Sequence, residues 1–234
     1  MLVPASGSLP PADAALQNCG SVDVKDTGEV YNPDPSDFKV RGSMAEVTLA
    51  PVDVCNAGHS WSRASVMLFA DTSSDFAFIG TIKDWSIGSW SYEWEYLAGP
   101  GLIRHVWGSP AVGQTTRFVV ERKSSDGKIH MYLHGNPAPC NPSGDCAVTP
   151  YDPLDAWGGI QSRWVAETNY PQNDIFGIGS DKGDFDFVKS KNPEDSWSAH
   201  APTSTSHGAV CYYNINVLTN DHFKVWTHPL DHNC

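Results

Sequence analysis

The stretch Trp90-Ser-Tyr-Glu-Trp-Glu-Tyr96 decides the fold class. Trp90, Tyr92, Trp94 and Tyr96 alternate strictly with Ser91, Glu93 and Glu95, and a period of two belongs to an extended strand, not to a helix. On a strand the rings and the two carboxylates part company across the sheet. If the rings face solvent, they form a stacking platform for sugar or peptide, with the polar edges of Trp and Tyr reaching ligand hydroxyls. If they face inward, they are core, and Glu93 and Glu95 line the opposite surface.

Outward from that stretch the same grammar recurs. Short alternating or apolar runs lie at 44–49, 64–70, 75–83, 90–97, 102–107, 116–122, 128–133, 160–168, 184–188, 209–218 and 222–227, separated by Gly, Pro, Asn, Asp and Ser clusters. The spacing predicts an all-β fold, an antiparallel sandwich of the jelly-roll or concanavalin-like kind, and no long helical periodicity is present. Phe118-Val-Val-Glu-Arg122 and Lys128-Ile-His-Met-Tyr-Leu133 form the clearest hairpin, because Asp126-Gly127 supplies residues tolerant of positive φ. Residues 1–18 read as a flexible Pro/Ala/Ser-rich lead, 19–42 carry turn signals such as Asp26-Thr-Gly28, and 201–206 read as a Ser/Thr-rich loop. One domain over 19–234 accommodates all the runs.

Composition bounds the partners. Fifteen Lys and Arg against 27 Asp and Glu give a net charge of −12 with no basic cluster, which argues against nucleic acid and anionic membrane. No apolar run reaches the length of a membrane-spanning helix. The six cysteines, Cys19, Cys55, Cys140, Cys146, Cys211 and Cys234, contain no CxxC pair and are expected to form three disulfides in a secreted chain. Cys140-Asn-Pro-Ser-Gly-Asp-Cys146 closes most readily on itself. Proximity alone suggests Cys19 with Cys55 and Cys211 with Cys234. The first eleven residues lack a basic n-region and a long apolar segment, so the chain reads as a mature secreted protein whose export signal has been removed.

A second loaded strand is Gln161-Ser-Arg-Trp-Val-Ala-Glu-Thr-Asn-Tyr170, where Arg163, Val165 and Glu167 share one face and Trp164 and Ala166 the other. A carboxylate in so apolar a strand is either paired, with Arg163 as the nearest candidate, or raised in pKa. The order of Asp75-Phe-Ala-Phe-Ile-Gly-Thr-Ile82, Tyr92-Glu-Trp-Glu95, a Gly-rich turn and Arg163-Trp-Val-Ala-Glu167 resembles the sandwich of the secreted glutamic peptidases, including the eqolisin and neprosin groups, over roughly residues 44 to 180. Those families hydrolyse peptide bonds with a Glu paired to a Gln or a second Glu. The resemblance implies that Glu167 is the catalytic carboxylate. The partner's place, two residues before Gly80, holds Phe78, whose ring cannot donate to an oxyanion. Glu93 or Glu95 could take that role as the second acid, and two carboxylates flanking a scissile bond would equally suit a glycosidase.

Other chemistries find less support. His130 and His134 lie about 13 Å apart along a strand, and Gly58-His-Ser-Trp-Ser62 lacks a nucleophile elbow. His228 and His232 sit in a C-terminal stretch where metal capture is conceivable. No nucleotide cofactor is expected, and Asp181, Asp184 and Asp186 around Gly183 offer at most a structural calcium turn. The leading expectation is a secreted sandwich that binds an extracellular polymer, carbohydrate foremost, through Trp90, Tyr92, Trp94, Glu95, Arg163 and Trp164. The alternatives are an acid-acting glutamic-type endopeptidase using Glu167 with Glu93, or a structural or adhesive domain.

Overall fold

A computed structural model of the chain describes residues 26–31, 40–55, 60–70, 75–98, 101–152, 159–169, 176–178, 180–199, 204–207 and 213–227. Their strands are β1 (Asp26–Tyr31), β2 (Gly42–Thr48), β3 (Trp61–Ala70), β4 (Phe76–Asp84), β5 (Trp90–Ala98), β6 (Gly101–Trp107), β7 (Thr115–Arg122) and β8 (Ile129–Leu133). The second half adds β9 (Asn136–Pro137), β10 (Ile160–Thr168), β11 (Gly177–Ile178), β12 (Asp181–Lys191), β13 (Trp197–Ala199), β14 (Ser204–His207), β15 (Tyr213–Thr219) and β16 (His222–Thr227). One sheet has seven strands in the order β14-β1-β10-β3-β4-β5-β6. The other has nine, β15-β16-β11-β12-β2-β7-β8-β9, with β13 beside β12. Pairing is antiparallel apart from one parallel contact, Ile178 with Thr227. Among the described residues no helix is long and apolar enough to cross a membrane.

The sheets bury their alternating apolar positions against each other, as period-two patterning requires. Val66 and Leu68 of β3, Ile79 of β4 and Trp94 of β5 meet Val47 of β2 and Phe118 of β7 in one continuous core. Burying each of these side chains stabilises the fold by about 1.5–3 kcal/mol. The indoles bring a polar N–H into that core, and each finds a backbone acceptor. Trp90 Nε1 donates to Ala50 O at 3.1 Å, Trp94 Nε1 to Pro139 O at 2.8 Å, and Trp164 Nε1 to Met44 O at 2.9 Å. The last bond ties one sheet to the other.

The β7–β8 hairpin forms with Phe118 opposite Leu133 and Arg122 opposite Ile129, and Gly127 in its turn has φ 72°. Two segments depart from the expectations. Asp26-Thr-Gly28, read as a turn, lies in β1, and half of the Ser/Thr-rich stretch 201–206 lies in β14. Each gains its extended form from a neighbour: β10 fixes β1 from Asp26 opposite Thr168 onward, and β1 fixes β14. Pairing across the sheet overrides weak local strand propensity. Strand β12 extends well past 184–188 and carries a register shift between Asp186 and Lys189, where Phe187 takes φ 50°.

Cys140 and Cys146 are bonded to each other. Cys55 is disulfide-bonded to a partner outside the described residues. Cys19, Cys211 and Cys234, the lead 1–18, and His228 and His232 also lie outside them. The acidic turn expected around Gly183 is strand instead. Asp184 there is held by His222 at 2.6 Å and Lys224 at 3.2 Å, so side chains of its own chain already engage both carboxylate oxygens. Among the described residues no three His, Cys, Asp or Glu gather as metal ligands.

Candidate active site

The outer face of the seven-stranded sheet gathers three carboxyl groups around two guanidinium groups. Cross-strand register lines it up: Glu167 of β10 lies opposite Arg63 of β3, Gly80 of β4 opposite Glu93 of β5, Phe78 opposite Glu95, and Glu95 opposite Arg104 of β6. Because side chains alternate, the carboxylates of Glu93, Glu95 and Glu167 emerge on the face away from the core rings. Gly80 sits in the middle of this array. A Cβ there would stand 2.2 Å from Ala64 O and 2.6 Å from Ser65 Cα, so no side chain fits between β3 and the acids of β5.

Arg63 is the hub. Its Nε donates to Glu93 Oε2 at 2.9 Å and its Nη1 to Glu167 Oε1 at 2.7 Å, while Nη2 stands 3.7 Å from Glu95 Oε2. The guanidinium lies 4.6 Å from the centroid of the Trp61 ring and 4.4 Å from that of Phe78, cation–π contacts that steady its plane. Arg104 bonds Glu93 through Oε1 and approaches Glu95 Oε2 to 3.7 Å. Three carboxyl groups therefore face two guanidinium groups. Burial pushes the Glu95 carboxyl up to about 7; Arg63 pulls against that shift and the adjacent Glu93 charge adds to it. Burial works against the charge of Arg63, yet Glu93, Glu167 and Glu95 together raise its pKa further above the usual arginine range.

Beside the acids opens a groove of about 490 Å³. Glu95, Glu167, Arg63, Arg163, Thr168 and Trp61 line it together with the apolar Met67, Phe69, Phe76, Phe78, Leu102 and Val165. The side chains of Glu95 and Glu167 remain 8% and 14% exposed, enough for a ligand in the groove to touch them, whereas Glu93 is fully buried.

The residues singled out from sequence divide by face. Glu95, Arg163 and Glu167 line the groove, and Glu93 lies beneath it. Trp90, Trp94 and Trp164 are buried in the core at 3%, 0% and 0% exposure, so the stacking platform expected from them does not form. Tyr92 is half-buried, packs on Trp107 and Phe118, and accepts a 2.8 Å bond from Gln114 Nε2. The rings turn inward because the second sheet stacks on their face of β5, where Tyr92 meets Phe118 of β7. Arg163 does not pair with Glu167: its guanidinium lies 3.7 Å from the centroid of Phe69 and its Nη2 donates to Gln161 Oε1. Arg63, Arg104 and the apolar floor went unread in the sequence. Arg63 had a signal, since it shares the parity of Met67 and Phe69 and falls just before an apolar run.

No family model matches the chain, and no curated protein does. Solved structures do. A crystal structure of scytalido-glutamic peptidase with a transition state analog inhibitor superposes with a TM-score of 0.54 at 9% identity, covering 87% of this chain and 97% of that one. A second, of scytalido-glutamic peptidase with a peptide based transition state analog, gives a TM-score of 0.52 at 8% identity over 88% and 98% of the two chains. At such identities the likeness is one of fold, and the fold of this chain is that of a glutamic-peptidase-like β-sandwich.

Proposed function

We propose that this protein is an acid-acting peptidase that works outside the cell and uses Glu167 and Glu95 as its paired carboxyl groups. One observation carries the reading: both side chains line a single groove with the Arg63 guanidinium between them, and burial pushes Glu95 up to about 7. Below that pH Glu95 is a proton donor inside the groove, and Glu167, held by Arg63 Nη1 at 2.7 Å, is the group that takes a proton from water. In the hydrolytic step, water adds to the peptide carbonyl carbon as its proton passes to Glu167, and Glu95 hydrogen-bonds the carbonyl oxygen. The C–N bond then breaks, the departing nitrogen takes the proton from Glu167, and Glu95 keeps its own. The fold shared with glutamic peptidases supports a peptide substrate. The apolar side chains in the groove lining suit a large apolar side chain next to the scissile bond.

The carbohydrate reading loses its footing, since the aromatic rings that motivated it belong to the core. The test is hydrolysis of a denatured protein at pH 3 to 6. Wild type should cleave beside large apolar residues, and Glu167→Gln should lower turnover by about 10²-fold or more. Equal inertness of wild type and variant refutes the reading.

A further inference from the structure

A peptidase that makes a tetrahedral intermediate needs an N–H or O–H donor waiting where the carbonyl oxygen becomes negative. Glu95 supplies one when protonated. The polar side chains of the groove offer two candidate cations for a second. Arg163 is four residues from Glu167 along β10, a separation of about 13 Å, and its guanidinium stacks on Phe69. Arg63 stands between the two acids. Its Nε and Nη1 are committed to Glu93 and Glu167, but Nη2 is 3.7 Å from Glu95 Oε2, beyond hydrogen-bond reach.

We infer that Arg63, resting on the peptidase reading above, is itself a catalytic residue whose Nη2 edge donates to the carbonyl oxygen of the scissile peptide as that oxygen takes on charge. The geometry has what such a donor requires. The Arg63 side chain lines the groove yet is only 11% exposed, and two aromatic rings and two carboxylates fix the guanidinium plane before substrate arrives. A donor that need not reorganise at the moment of reaction stabilises the transition state more than the ground state. No proton leaves Arg63: it bonds the oxyanion while the intermediate lasts, and the bond weakens again when the C=O re-forms and the amine departs. A purely structural Arg63 would serve to neutralise buried Glu93, a task Arg104 shares through Oε1.

The experiment compares wild type with Glu93→Gln/Arg63→Gln, a double substitution that removes the buried anion together with its cation and keeps the net charge. Two non-cleavable peptides with the same apolar side chain serve as probes in titration calorimetry: a phosphonate, which is a tetrahedral anion, and a ketomethylene isostere, which keeps a planar neutral carbonyl. Wild type should bind the phosphonate about 10²- to 10³-fold tighter than the isostere. The double variant should lose most of that preference while its affinity for the isostere stays within about threefold. A wild type without the preference, a double variant that keeps it, or equal loss for both probes overturns the inference. Hydrolysis is scored separately: a wild type that prefers the phosphonate but cleaves nothing refutes the peptidase reading and leaves the Arg63 contact standing.

Discussion

Replacing Glu95 by glutamine should make the protein more stable at high pH and leave it unchanged at low pH. In the folded chain Glu95 titrates at about 7, against an ordinary 4.5. At about 1.4 kcal/mol per pKa unit, that gap corresponds to about 3 kcal/mol. A raised folded pKa means that the folded protein holds the proton more tightly than the unfolded chain does. The favourable contribution is therefore complete below pH 4.5, where both states are protonated, and is lost as pH rises towards 7. Above that, the folded state carries a buried anion that the unfolded chain would solvate. Glutamine fixes the neutral form at every pH. The unfolding free energy of Glu95→Gln minus that of wild type, from urea titrations with disulfides intact, should be near zero at pH about 4 and rise to about 3 kcal/mol at pH about 8. A flat difference across that window would mean that Glu95 is not the group that burial perturbs.

Arg63→Met should cost about 3–5 kcal/mol in chemical denaturation, because it strips a cation from fully buried Glu93; a loss below about 1 kcal/mol would show that Arg104 alone suffices. Gly80→Ala should lower the thermal midpoint and cost about 2 kcal/mol or more, since its Cβ would press on the backbone of Ala64 and Ser65; unchanged stability would refute the close approach. Trp94→Ala should destabilise by about 3–5 kcal/mol by opening a core cavity, and a stable variant defective only in ligand binding would contradict the inward placement of that ring.

Alternation on β5 was legible from Trp90 to Tyr96 alone, and so was the parting of rings from acids. Which side became the interior was not. That depends on β4 and β6 flanking β5 and on β7 packing beneath Tyr92, relations that no local pattern encodes. Glu167 could be singled out because a carboxylate sits oddly in an apolar strand. Its partner could not: Arg163 is near in sequence but its guanidinium stacks on Phe69, whereas Arg63 is directly opposite on the neighbouring strand. Among the strands that went unread, β1 and β14 are rich in Asp, Gly, Ser and Thr and become extended by pairing with neighbours far away in the chain.

The separation of residues on β5 has a consequence for how such a protein can change over time. Odd and even positions answer to different demands, so lineages can rewrite Phe78, Glu95 or Glu167 without touching the indoles that clasp the two layers. Groove and core are built on opposite sides of the same ribbon. A scaffold of this sort holds its shape through one set of positions and leaves the other free to vary.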